Sequence, residues 1–146
     1  MSTKQSQERL LELLKRWQQV ENKSTTQCAE IAEKSSSPVI RLVMDVIRRD
    51  SAMHHRVQQF IIDSIEKEAV TLTVDDLERV WGAIEAHIAA ERETEELVAA
   101  CRKALEGTKD VVQQYLLAYL AVDERKHDQL LEDLLKAAED HVDWLE

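Results

Sequence analysis

Apolar residues recur three and four positions apart along nearly the whole chain, and the interruptions fall into a few short polar clusters. Leu10, Leu14, Trp17, Glu21, Cys28 and Ile31 share one helical face. Ser35-Ser36-Ser37-Pro38 then ends the run with a turn whose proline suits the first position of the next helix. Ile40, Val43, Ile47, Asp50, His54, Val57, Ile61 and Ile65 predict a second helix on the same spacing. Ala69-Val70-Thr71-Leu72 breaks the pattern, and Thr73 with Asp76 three residues on makes a capping box in which aspartate replaces the usual Glu or Gln. A third face follows through Leu77, Trp81, Ile84, Ile88, Glu91, Glu95, Val98 and Leu105, and Gly107 is placed to end it as a C′ glycine. The fourth carries Val112, Leu116, Tyr119, Asp123, His127, Leu130 and Leu134, with Glu124 beside the stripe. No linker is visible, so the expected fold is all-α, one antiparallel four-helix bundle spanning residues 1–146.

The link between the second and third helices leaves two topologies open. If both helices run uninterrupted to residues 70 and 73, the short turn forces them antiparallel. If residues 73–81 instead form a separate short helix broken at Gly82, the chain can cross the bundle and the two helices can run parallel. Glycine inside a helix costs about 1 kcal/mol relative to alanine, so Gly82 next to Trp81 points to a bend or a close approach.

Composition supports the helical reading and narrows the chemistry. The 146 residues include only two glycines and one proline, too little punctuation for many short strands. A net charge of -10 without any basic block argues against nucleic acid or an anionic membrane as partner. No apolar run approaches the roughly 20 residues needed to span a bilayer, and the polar start Met1-Ser2-Thr3-Lys4-Gln5-Ser6-Gln7 lacks a signal peptide's apolar region. A cytoplasmic protein is expected. Cys28 and Cys101 show no CxxC spacing and are expected as small, buried, reduced side chains.

Against this background one signature occurs twice. Asp50-Ser51-Ala52-Met53-His54 and Asp123-Glu124-Arg125-Lys126-His127 lie 73 residues apart, and each follows a glutamate on an apolar stripe, Glu21 and Glu91. Paired helical hairpins would project these groups into one core, where unpaired polar groups are costly, and a metal ion accounts for them economically. Glu124 and His127, three apart, share a helical face and can share an ion, and Glu91 sits 33 residues before Glu124, a hairpin's spacing. Asp50 and Asp123 each stand one turn before a histidine, where a carboxylate can orient an imidazole on another helix. His87 and Glu95, one turn either side of Glu91, are reserve ligands; His55 and His141 are expected at the surface, and Tyr115 and Tyr119 as packing residues.

At these residues the chain resembles the ferritin-like superfamily, and within it the rubrerythrin-type diiron carboxylate proteins, over roughly residues 8–140. The resemblance is most specific at Asp123-Glu124-Arg125-Lys126-His127-Asp128-Gln129-Leu130-Leu131, and less so at His87-Ile88-Ala89-Ala90-Glu91 and Asp50-Ser51-Ala52-Met53-His54. It implies a bundle with a crossover between its second and third helices, iron or manganese as cofactor, one or two ions per chain, and ferroxidase or peroxidase-type oxidoreductase chemistry with a separate electron donor. It also implies that Glu21 and Glu91 are single-glutamate ligands, that Glu124 bridges the metals, and that His54 and His127 are terminal ligands. Ser51 stands where the second bridging glutamate belongs, so five ligands remain where the full pattern has six. The expectation is therefore a metal-binding bundle that forms a homo-oligomer, with a dimer favoured. The alternative is a metal-free helical bundle serving oligomerisation or as an adaptor, its Asp and His groups hydrogen-bonded across the core.

Overall fold

The computed structural model describes residues 2–145, and their side chains as far as residue 139; His141 lies outside the described side chains. The chain is all α-helical, with five helices in the order α1 (Thr3–Lys34), α2 (Pro38–Glu66), α3 (Val74–Glu78), α4 (Trp81–Ala104) and α5 (Val111–Leu145), and no strand among the described residues.

Local chemistry explains the boundaries. Ser2 and Gln5 form a reciprocal capping box at the start of α1, satisfying backbone N–H groups that have no partner inside the helix. Ser37 caps α2, and Pro38 fills its first turn, where a missing N–H costs nothing. The Thr73–Asp76 box is present in full, with Asp76 N–H donating to Thr73 Oγ1 at 3.2 Å and Thr73 N–H donating to Asp76 Oδ2 at 2.9 Å. That box opens only the short α3, which stops at Glu78, and the long helix restarts at Trp81. Of the two connections read from the sequence, the one with a separate short helix is found, with the break ahead of Gly82. A Cβ at Gly82 would meet nothing within 4 Å, so a close approach is not what the glycine serves. Gly107, at φ +78°, adopts the left-handed backbone that glycine takes readily, and α4 ends three residues before it.

Residues 1–70 and 71–146 form two compact units. In the first, α1 packs on α2; in the second, α4 packs on α5, and α3 touches both with Leu77 buried. The α1/α2 seam runs through Leu14, Glu21 and Cys28, seven residues apart, and through Ser51, Gln58 and Ile62. A seven-residue repeat is the spacing that keeps one seam against a partner helix. On α1 this is the expected stripe; on α2 the seam is offset from it, because Ile40, Ile47, Val57 and Ile61 are exposed and Ser51 and Gln58 are buried in their place. In the second unit Leu77 and Glu91 are buried as their stripe predicts, whereas on α5 Ala138 is buried off the stripe and Val112, Tyr119 and Leu130 of the expected stripe are exposed, as is Tyr115. Cys28 is buried as expected; Cys101 is exposed, on the outer side of α4. His55, expected at the surface, is half-buried, and its carbonyl accepts from Gln18 Nε2 at 3.3 Å. No helix among the described residues is long and apolar enough to cross a membrane.

Candidate metal centre

The second unit places three of the expected ligands together. Glu91 faces α5 from the middle of α4, with only 7% of its surface exposed. Glu124 and His127, three apart on α5, meet it there, and one ligand atom from each of the three lies within 4.8 Å of the others. Oxygen and nitrogen donors bind a first-row ion such as zinc at about 2.0–2.2 Å, so the three need draw in only slightly to share one ion.

The distances show how the groups are held. His127 Nδ1 is 3.4 Å from Glu91 Oε1 and 3.7 Å from Glu124 Oε2. Its other nitrogen, Nε2, lies 3.7 Å from Asp123 Oδ2, and the other oxygen of that carboxylate, Oδ1, takes Lys126 Nζ at 2.8 Å. Asp123 therefore stands on the far side of the ring, where a carboxylate favours a proton on Nε2 and leaves the Nδ1 lone pair toward the two glutamates. His87 Nε2 reaches Glu91 Oε1 at 3.0 Å from one turn earlier on α4. Glu91 Oε2 is buried and has no hydrogen-bond partner among the described residues.

Two carboxylates this close cannot both be comfortably ionised. A hydrogen bond shared with Glu91, then burial and the Glu91 charge, push the Glu124 carboxyl above its ordinary value. The same hydrogen bond, together with His127 and His87, holds Glu91 below its ordinary value against the opposing effect of burial. Directions so opposed mean that Glu124 takes up a proton before Glu91 as pH falls. One turn further on, a hydrogen bond with Asp128, then burial and the Asp128 charge, push Glu95 up as well. Glu95 thus pairs with Asp128 and not with the ligand trio. Asp128 was missed by the sequence reading, although it follows Glu124 by the same four residues that separate Glu95 from Glu91.

The first unit brings Glu21 and His54 together with different neighbours. Glu21 is 8% exposed in the α1/α2 seam, and Trp17 Nε1 donates to its Oε1 at 3.1 Å. His54 Nδ1 approaches the same oxygen at 3.4 Å, with its ring largely exposed. Ser51 is buried at the place in α2 that Glu124 has in α5, and its hydroxyl pairs with Ser24 Oγ at 3.1 Å. Asp50 is half-buried and makes no ion pair with His54, unlike Asp123 beside His127. Trp17 was read from the sequence only as a stripe residue; its spacing of four before Glu21 is the signal that marks it as a donor.

No family model matches the chain, and neither a curated protein nor a solved structure matches it.

Proposed function

We propose that this chain is a cytoplasmic metal-binding protein that holds one divalent ion, iron or manganese, tightly through Glu91, Glu124 and His127. The observation that carries the reading is the buried, partnerless Glu91 Oε2 beside a second carboxyl and an imidazole. A buried acceptor without a donor is costly, and so is a carboxylate pair; one cation relieves both. Two carboxylates and one imidazole are a donor set suited to manganese, iron or zinc, and water can complete the coordination. When bound, such an ion supplies Lewis acidity and, with an open position, redox chemistry. The chain's own part is to present the oxygens of Glu91 and Glu124 and the Nδ1 of His127, with Asp123 orienting that ring.

The ferritin-like, rubrerythrin-type reading belongs with this proposal, and ferroxidase or peroxidase-type turnover with it. Such turnover calls for two cooperating ions. Glu21 and His54 offer one carboxylate and one imidazole, a weaker second position filled only at excess metal. A second reading is favoured at that position by a specific observation. The Ser24–Ser51 pair and the Trp17–Glu21 hydrogen bond satisfy the α1/α2 seam without an ion, as a metal-free structural or adaptor bundle would require.

Metal analysis after loading with Fe(II) or Mn(II) tests the proposal. About one tightly held ion per chain is expected, and less than about 0.2 for every metal tried would leave the metal-free bundle as the better reading.

A further inference from the structure

We infer that His87 is a positioning residue for an ion at Glu91, acting as a ring N–H donor and not as a ligand; this rests on the metal reading above. The argument comes from an arrangement that the molecule makes twice. Four residues before each buried glutamate stands a ring nitrogen against its Oε1: Trp17 Nε1 donates to Glu21 at 3.1 Å, and His87 Nε2 lies 3.0 Å from Glu91. In each hairpin a histidine of the facing helix brings Nδ1 to 3.4 Å from that same oxygen, His54 in one and His127 in the other.

An indole N–H can donate but offers no lone pair for a metal in the ring plane, whereas an imidazole can do either. The capacity that Trp17 and His87 share is donation. The spacing supports this, because residues four apart on a helix meet side by side, and the ring N–H then grips one oxygen of the carboxylate from outside the seam. With Oε1 held, Oε2 of Glu91, buried and without a partner among the described residues, is left for the ion. With its proton on Nε2 beside Asp123, His127 offers its Nδ1 lone pair to the ion and does not donate to Oε1. Of the two rings that reach Oε1, His87 is then the one that still holds it. Removing an orienting partner of this kind typically weakens metal binding about 10–100-fold.

Co(II) titration of the full chain, followed by visible absorption, tests the inference with the wild type, His87→Ala and His87→Trp. His87 is largely exposed on α4, so these substitutions leave the seam intact, which circular dichroism verifies. His87→Gln, whose amide also carries N–H groups, stands in if the tryptophan variant misfolds. The alanine variant is expected to bind Co(II) about 10–100-fold more weakly, and the tryptophan variant to recover to within about threefold of wild type, with unchanged Co(II) bands. A tryptophan or glutamine variant as weak as alanine, with bands shifted from wild type, would make His87 a ligand and overturn the inference. Wild-type affinity in the alanine variant would overturn it too, while the metal reading stands. A wild-type chain that binds no Co(II) overturns the metal reading and this inference together.

Discussion

In the α1/α2 hairpin the buried glutamate shares its seam with a serine pair, whereas in the α4/α5 hairpin a glutamate at the matching position meets a second carboxyl. Two contacts recur around both: a ring nitrogen at 3.0–3.1 Å from one turn earlier, and an imidazole Nδ1 at 3.4 Å from the facing helix. Of the differences between them, Ser51 against Glu124 decides how the seam is satisfied. A serine can both donate and accept, so Ser24 and Ser51 satisfy each other. An ionised carboxylate accepts only, so Glu91 and Glu124 remain in conflict until a proton or a cation joins them. A polar seam is thus no indication of a ligand by itself; a seam with more acceptors than donors is.

The largest effect should come from making the second hairpin resemble the first. Glu124→Ser is expected to weaken metal binding by more than about a hundredfold, beyond the usual loss from an orienting partner, whereas Glu132→Ala, two turns along α5, should change it less than about threefold. Equal effects in a titration with Mn(II) would mean that the trio is not the site. The converse change, Ser51→Glu, gives the first hairpin the missing carboxylate beside Glu21 and His54. Metal analysis should then rise from one ion per chain toward two, and an unchanged stoichiometry would show that residue 51 does not face a usable position.

Stability should report the same contrast more modestly. A ligand that binds only the folded chain at a hundredfold excess over Kd stabilises it by about 2.7 kcal/mol. For a chain of this size that raises Tm by several degrees. Calorimetry with and without Mn(II) should show this rise in the wild type and in His54→Ala, and lose it in the His54→Ala, His127→Ala double variant.

The smallest effect is the dependence on pH without metal. Glu124 and Glu95 are pushed above the ordinary carboxyl value of 4.5, so between 4.5 and their raised values the folded chain binds more protons than the unfolded one. Their contribution to stability is therefore fully present below 4.5 and lost as pH rises through the raised values. Urea midpoints of metal-free protein should fall across that window, and fall less both in Glu124→Gln and in the metal-loaded chain, where the ion takes the proton's place at Glu124 and only the Glu95 contribution remains. Midpoints that rise through the window would reverse the assignment of the shared proton.

Much of this was legible in the amino-acid order because it depends on neighbours along the chain. Helix spacing, the Ser37–Pro38 start, the Thr73–Asp76 box and the pairing of Glu124 with His127 all involve residues within a turn or so of each other, and local geometry determines them. The hairpin spacing from Glu91 to Glu124 was also readable, since a short turn returns the chain to the same level. What only the tertiary structure decided is which edge of each apolar face becomes the seam. The apolar arc on these helices is broad, and a periodicity of three and four does not say whether Val57 and Ile61 or Gln58 and Ile62 turn toward the partner helix. Packing chose the second pair. That choice buried Ser51 with Ser24 and half-buried His55; in the second unit the packing of α4 on α5 exposed Cys101 and set Glu95 against Asp128. Each of these turns on the position of a facing helix, and a one-residue change of seam rotates every side chain by about 100°.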